Sequence, residues 1–149
     1  MLAMRISARG EYGLRAMVFL ACQESQVPVS LEQIGRQGQV PRPFLAQIML
    51  NLRRADLVDS VRGNRGGYLL KRSPSHIAVR EVVEALEEDL SLVHCVLDGA
   101  CVHVDSCLTR AFWHKVQRTL IEMMENTTLA DLVPTHIPYR PGFEQGEKG

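Results

Sequence analysis

No stretch of this 149-residue sequence approaches the roughly 20 consecutive apolar residues of a membrane-spanning helix. The early run AMVFLAC (16–22) is short, follows Glu11 and Arg15, and has no small-residue cleavage site behind it. It reads as part of an amphipathic helix rather than a signal peptide, so a reducing cytoplasm is the expected location. Internal repeats are absent. Paired acids and nucleophile–base constellations are absent too. The glycines of GNRGG (63–67) lack the strand-to-helix setting of a nucleotide loop, so the chain is not expected to be an enzyme. Net charge is zero, but that total conceals a polarity. Residues 1–80 hold 12 Lys/Arg against 5 Asp/Glu, a net of +7; residues 81–149 hold 5 against 12, a net of −7. Chance asymmetry aside, a basic front half is the footprint of a polyanion-binding module joined to something else.

Cysteine is scarce and concentrated. Three of the four lie in CVLDGACVHVDSC (95–107), at regular spacing around Gly99. In a reducing compartment, clustered thiols more often mean metal or redox chemistry than structural disulfides. Thiolates are soft donors that suit iron–sulfur clusters or zinc, and this spacing is not the close pairing of a zinc ribbon. His94 and His103 in the loop, and His114 beyond it, are further imidazole donors, although a surface histidine is the commoner case. Cys22 reads as a packed thiol at the end of a helix.

Apart from the loop, periodicity organises the chain. The length favours one domain with a real core, 46% of the residues being hydrophobic. Residues 11–24 carry Leu14, Met17, Val18 and Ala21 at helical spacing. Ser30 and Gln33 form a capping-box signature for a short helix from Leu31, which Gly35 and Gly38 weaken and end. After Pro41 and Pro43, residues 44–58 predict a third helix, with Phe44, Leu45, Ile48, Met49 and Leu52 inward and Arg42, Gln47, Asn51 and Arg54 outward. Val58 and Val61, the turn GNRGG, and Tyr68-Leu69-Leu70 predict a β-hairpin. This order is that of a winged helix-turn-helix, mainly α with a small hairpin wing, whose third helix enters a major groove. Ser75 or Ala78 leads into a helix over 79–88 with Val79, Val82, Val83 and Leu86 inward. From Leu108 to about Glu125 a longer helix carries Leu108, Phe112, Val116, Leu120 and Met124 at spacing four. That stripe either packs on its own domain or forms a dimer interface. The dimer is favoured, because many helix-turn-helix proteins bind two half-sites. Thr128 caps a last turn, LADLV, and the Pro/Gly-rich tail over 134–149 reads as disordered.

Three segments together carry a family resemblance: MRISARGEYGLRAM, LEQIGRQGQVPRPFLAQIMLNLRRADLVDSVRGNRGGYLL, and the triple-cysteine loop followed by CLTRAFW. Over about residues 4–133 the chain resembles the Rrf-two family of bacterial winged-helix transcription regulators. Members start at the equivalent of Met4, so residues 1–3 are expected to be an extension or an alternative start. The resemblance implies a winged-helix DNA-binding region over 4–78, and a second region over 79–133 with the cluster loop (95–107) and a dimerisation helix. It also implies an iron–sulfur cluster, 2Fe–2S or 4Fe–4S, on Cys95, Cys101 and Cys107.

Two branches of the family differ in the fourth ligand. Regulators of cluster biogenesis use a histidine three residues after the last cysteine. Here that position is Arg110, which cannot ligate. Some nitric-oxide-sensing repressors use an acidic residue of the partner subunit's first helix, and the matching residue here is Glu11. Its plain role is a solvated glutamate favouring the helix dipole. Arg62 matches a wing arginine of the family and Gln47 a base-reading position, where glutamine can pair with adenine. Polar residues common in the family are replaced by Pro43 and Ala46, so a different operator preference is expected. Arg65 sits in the wing turn, and Arg42, Arg53 and Arg54 are phosphate clamps or surface charges. The expectation is a homodimeric regulator that binds an operator duplex, as a repressor or otherwise, and senses redox state, nitric oxide or cluster supply. The alternatives are a cluster-free regulator using thiol oxidation or zinc, and a cluster carrier that does not regulate DNA.

Overall fold

The computed structural model describes residues 6–23, 27–88, 90 and 106–134. Cys95, Cys101, His94, His103 and residues 135–149 lie outside them. Helix α1 (Ala8–Ala21) starts three residues before the sequence-based estimate, because Ser7 caps it: its Oγ accepts from the Gly10 N–H at 3.2 Å. Helix α2 (Leu31–Gln37) carries the expected capping box, in which Ser30 Oγ accepts from Gln33 N and Gln33 Oε1 accepts from Ser30 N, both at 3.2 Å. Helix α3 (Arg42–Arg54) opens with proline early in its first turn, where no intrahelical donor is needed.

Helix α3 does not continue to residue 58. Asp56 turns left-handed (φ 59°), the Leu57 N–H reaches back to Leu52 O at 3.0 Å, and Val58 begins a strand. Leu45, Ile48, Met49 and Leu52 form the buried face of α3 as expected. Phe44 does not join them; it lies at the rim, its ring 5.4 Å from that of Tyr12.

Strands β1 (Val58–Val61) and β2 (Gly67–Leu70) pair antiparallel, with Val58 opposite Leu70 and Val61 opposite Gly67. A third short segment joins this hairpin: Val29 and Tyr68 exchange backbone hydrogen bonds at 2.8 Å. A Cβ on Gly67 would strike the backbone of Val29 and Ser30, so only glycine allows the hairpin to lie against the residue that opens α2.

A 3-10 turn (Pro74–His76) then leads to α4 (Val79–Leu86). Ser75 belongs to the 3-10 turn. Ala78 precedes the helix, its N–H donating to Glu81 Oε2 at 2.9 Å. Val79, Val82, Val83 and Leu86 are all buried, as the periodicity requires. Helix α4 stops at Leu86 rather than Glu88, with Glu87 extended and its carboxylate turned to α1. Glu87 Oε1 accepts from both the N–H and the Oγ–H of Ser7, each at 2.7 Å. The glycines of α1 make this approach possible. A Cβ on Gly10 would collide with Glu87 Oε1, and one on Gly13 with Leu86 Cδ1.

The long helix α5 (Arg110–Asn126) begins after Leu108, which is fully exposed. Within the single chain its stripe packs inward only in part: Phe112 is exposed, Val116 and Leu120 are half-buried, and Met124 is buried. The cause is geometric. Residues spaced by four advance about 40° past a full turn at each step, so the row winds around the helix. Its C-terminal end meets Val79 and Val83 of α4 in a small second core with Leu14, Leu90 and Leu120. Helix α6 (Leu129–Leu132) has Thr128 as its cap, and Leu129 returns to the main core among Met17, Ile34, Ile48 and Leu52. The product is a winged helix-turn-helix with a long C-terminal helix. No helix of the described residues is long and apolar enough to cross a membrane.

Gly13→Ala should lower stability by about 1–3 kcal/mol, the usual cost of overpacking a dense contact. The double substitution with Leu86→Ala should lose less than the sum of the two single losses, since the smaller side chain makes room. Urea denaturation of the four proteins checks this; strictly additive losses would show that the two residues do not share the contact.

Candidate functional site

Two groups of residues carry chemistry. The first is the outer face of α3 together with the wing. Arg42, Gln47 and Arg54 on α3, and Arg62 and Arg65 in the turn between β1 and β2, are all exposed. None of these four arginines enters an ion pair among the described residues. Elsewhere Arg15 pairs with Glu11, Arg36 with Glu32, Lys71 with Asp56, Arg72 with Glu81, and Arg80 with Glu84 and Glu125, while Arg9, Lys115 and Arg118, like the α3 and wing set, enter no ion pair among the described residues. The face that would meet a polyanion therefore keeps its positive charge uncompensated, which is the arrangement that phosphate binding uses. Ala46 is exposed beside Gln47, and Leu50 is 38% exposed one turn on. Gln47 is not free in solution: its Nε2 donates to Asn51 Oδ1 at 3.0 Å. The helical pattern puts both residues on this face. Their pairing goes beyond that reading, although the i, i+4 spacing is its signal.

The second group surrounds the cysteine loop, of which the described residues include both flanks. On the upstream flank the Leu90 carbonyl accepts from Nε2 of the buried Gln117 of α5 at 3.0 Å. On the downstream flank Cys107 sits just before α5, its Sγ 3.6 Å from Thr109 Oγ1. The hydroxyl of Thr109 holds the Cys107 thiol below its ordinary pKa, helped by the backbone N–H groups of Thr109 and Arg110 and by the Arg110 charge. The shift is toward the thiolate, the form that binds metal and reacts as a nucleophile. Cys22 is the opposite case, with burial pushing its thiol pKa up.

Of the three expected ligand cysteines, Cys107 is the one within the described residues, and its chemistry fits a soft metal or cluster. Among the described residues no three His, Cys, Asp or Glu side chains converge on a metal position. Glu11 lies half-exposed in the first turn of α1 and is held by Arg15 Nε at 2.7 Å. Arg15 in turn lies over the Tyr12 ring, 5.6 Å from its centroid, and donates to the Gln39 carbonyl at 3.3 Å. Arg110 Nε donates to His114 Nε2 at 3.3 Å, so His114 faces the start of α5 rather than standing alone. On α5 itself, Phe112 (58% exposed) and Met123 (68%) leave large apolar side chains uncovered.

Comparisons with known proteins agree with this architecture. The family model Rrf2, described as iron-dependent transcriptional regulator, matches residues 6–135. The HTH-type transcriptional regulator IscR of Klebsiella pneumoniae (strain 342) is 38% identical over 130 residues, covering 87% of this chain and 80% of that protein. Among solved structures, T. potens IscR superposes with a TM-score of 0.71 at 35% identity, covering 87% of this chain and 86% of that one. CymR, described as the global cysteine regulator of B. subtilis, gives a TM-score of 0.74 at 32% identity, covering 87% and 96%.

The contrast between the two thiols should be measurable in the metal-free protein. Alkylation by iodoacetamide, followed residue by residue by mass spectrometry across pH, should give Cys107 a lower midpoint than Cys22. Thr109→Val should move the Cys107 midpoint upward. Coincident profiles for Cys107 and Cys22 would remove the special environment of Cys107.

Proposed function

The chain belongs to the Rrf2 family of transcriptional regulators, and from that premise we propose a homodimeric, cytoplasmic, cluster-dependent regulator of transcription. The DNA-binding region spans 4–78 and the sensing and dimerisation region 79–133. The observation that carries the reading is the uncompensated arginine set on α3 and the wing. Gln47 reads a base edge in the major groove, Arg62 and Arg65 reach phosphate or the minor groove, and Arg42 and Arg54 clamp phosphates. The exposed Phe112 and Met123 of α5 face the second subunit, which gives two reading heads for two half-sites.

Cys95, Cys101 and Cys107 hold an iron–sulfur cluster, 2Fe–2S or 4Fe–4S, with Glu11 of the partner subunit as the fourth ligand. When bound, the cluster supplies an iron that redox chemistry, nitric oxide or iron loss can attack. The lowered pKa of Cys107 supports the assignment by favouring the ligating thiolate. Glu11 must leave Arg15 before it can ligate, which makes that corner exchangeable. The route to DNA runs through packed elements. The loop flanks touch α5 through Gln117, α5 packs on α4, and Leu86 and Glu87 at the end of α4 seat on α1, which packs on α3. A change in the loop thus biases the position of the reading helix.

A second reading has its own support. The likeness to CymR, described as a cysteine regulator, together with a thiolate-prone Cys107, fits a regulator that uses thiol oxidation or zinc without a cluster.

Anaerobic purification with absorption spectrum, iron and sulfide analysis and native mass separates the two readings. A coloured dimer with matched iron and sulfide is expected; a colourless dimer carrying zinc, or no metal after reconstitution, favours the second. Alanine at Cys95, Cys101 or Cys107 should abolish the visible absorbance and leave a folded dimer, and colour retained in all three would refute the ligand set. Glu11→Ala should speed decay of the holo-protein in air, whereas an unchanged decay would return Glu11 to a surface role. Arg62→Ala should weaken operator binding about fivefold or more and reduce the salt slope by about one, with cluster content unchanged. Unaltered affinity would take the wing out of the interface.

A further inference from the structure

We propose that Asn51 is a positioning residue for base recognition, holding the carboxamide of Gln47 in the orientation that reads adenine. The inference rests on Gln47 as a groove-reading residue of α3. Gln47 and Asn51 stand one turn apart, and Gln47 Nε2 donates to Asn51 Oδ1 at 3.0 Å. Their exposures differ: Asn51 is half-buried, while Gln47 is exposed and projects outward. The less exposed amide is therefore the buttress and the projecting one is the reader.

The chemistry of the pair gives this a consequence. A glutamine side chain has substantial rotamer freedom to lose, and its amide can point either way round. With Asn51 Oδ1 turned to Gln47, as here, the Gln47 NH2 group faces Asn51 and its Oε1 is left for a partner outside the helix. With one Nε2–H engaged, Gln47 keeps one N–H donor and its Oε1 acceptor. In the major groove adenine offers N7 as an acceptor beside the N6 amino donor, the complement of that pair. Guanine offers two acceptors, N7 and O6, and would set O6 against Oε1 with no proton between them. Asn51 thus orders the reader before DNA arrives and fixes the order of donor and acceptor that it presents.

The same contact could merely support the helix, since amide pairs at this spacing add a few tenths of a kcal/mol. The two roles separate by base preference. The full-length protein and its Gln47→Ala, Asn51→Ala, Asn51→Asp and Gln47→Ala/Asn51→Ala variants are tested on duplexes selected by the wild type from a randomised pool. Affinity is measured for all four bases at each position, at fixed salt. Alanine is a better helix former than asparagine, so the Asn51→Ala variant retains its fold.

At a position where Gln47→Ala erases an adenine preference, Asn51→Ala should reduce that preference about three- to tenfold, the effect of one net hydrogen bond. The double variant should be no worse than Gln47→Ala. Asn51→Asp should keep the preference, because a carboxylate can only accept, while it weakens all sequences alike through repulsion from phosphate. If Gln47→Ala changes no base preference, the groove-reading role of Gln47 fails and this inference fails with it. If Gln47→Ala erases a preference that Asn51→Ala leaves intact, or if Asn51→Asp erases it, the inference alone is overturned and Asn51 only supports the helix.

Discussion

Where α4 ends, Leu86 and Glu87 lie against the face of α1 that Gly10 and Gly13 leave without side chains. Gly10 and Gly13 leave the notch, Leu86 fills one end of it, and the Glu87 carboxylate takes both donors of Ser7 at the other. The contact does three things at once. It terminates α4, it completes the cap of α1, and it fixes the point from which the chain departs toward the cysteine loop. A hydrogen bond to a charged acceptor contributes more than a neutral one, and two share this carboxylate. Helix α1 in turn packs on α3, so the position of α3 depends on a contact made just before the cysteine loop.

Much of the fold was legible because it is written locally. The capping box of Ser30 and Gln33, the inward valines of α4, the hairpin around GNRGG and the Thr128 cap are signals contained within a few residues. What escaped was set by partners far away in sequence. Ser7 starts α1 early with the help of a residue 80 positions later, and Val29 becomes a strand partner only because Tyr68 comes to it. Leu129 looked like part of a peripheral turn and belongs to the main core. The stripe of α5 divides within the single chain, because a row at spacing four is not one face over several turns: Met124 packs on α4, while Phe112 is exposed.

The site divides in the same way. Arginines in a tight turn and a glutamine on an outward helix face announce themselves, because exposure follows from the pattern around them. That Arg42, Arg54, Arg62 and Arg65 lack acidic partners among the described residues follows only from the folded arrangement, since Asp56 and Asp59 are close to them in sequence and Asp56 is taken by Lys71. Glu11 was legible as a possible ligand, and Arg15 four residues on was equally visible as its competitor. The polar neighbours of Cys107 lie next to it in sequence, but their effect on the thiol needed the geometry at the start of α5. Cys95 and Cys101 lie outside the described residues.

The wing has a root and a tip with opposite freedoms. At the root, Gly67 is locked by the backbone of Val29 and Ser30, and the strand pair is continuous with the segment that opens α2. At the tip, Arg62, Asn64 and Arg65 are exposed, and a Cβ at Gly63 would meet nothing within 4 Å. Changes at the tip therefore leave the core as it is, whereas a change at the root displaces the segment that opens α2. A lineage of such proteins can vary the charge and length of the tip without rebuilding the domain. Variation the fold tolerates is thus concentrated at the exposed tip and on the outer face of α3, where Pro43, Ala46 and Gln47 are equally exposed.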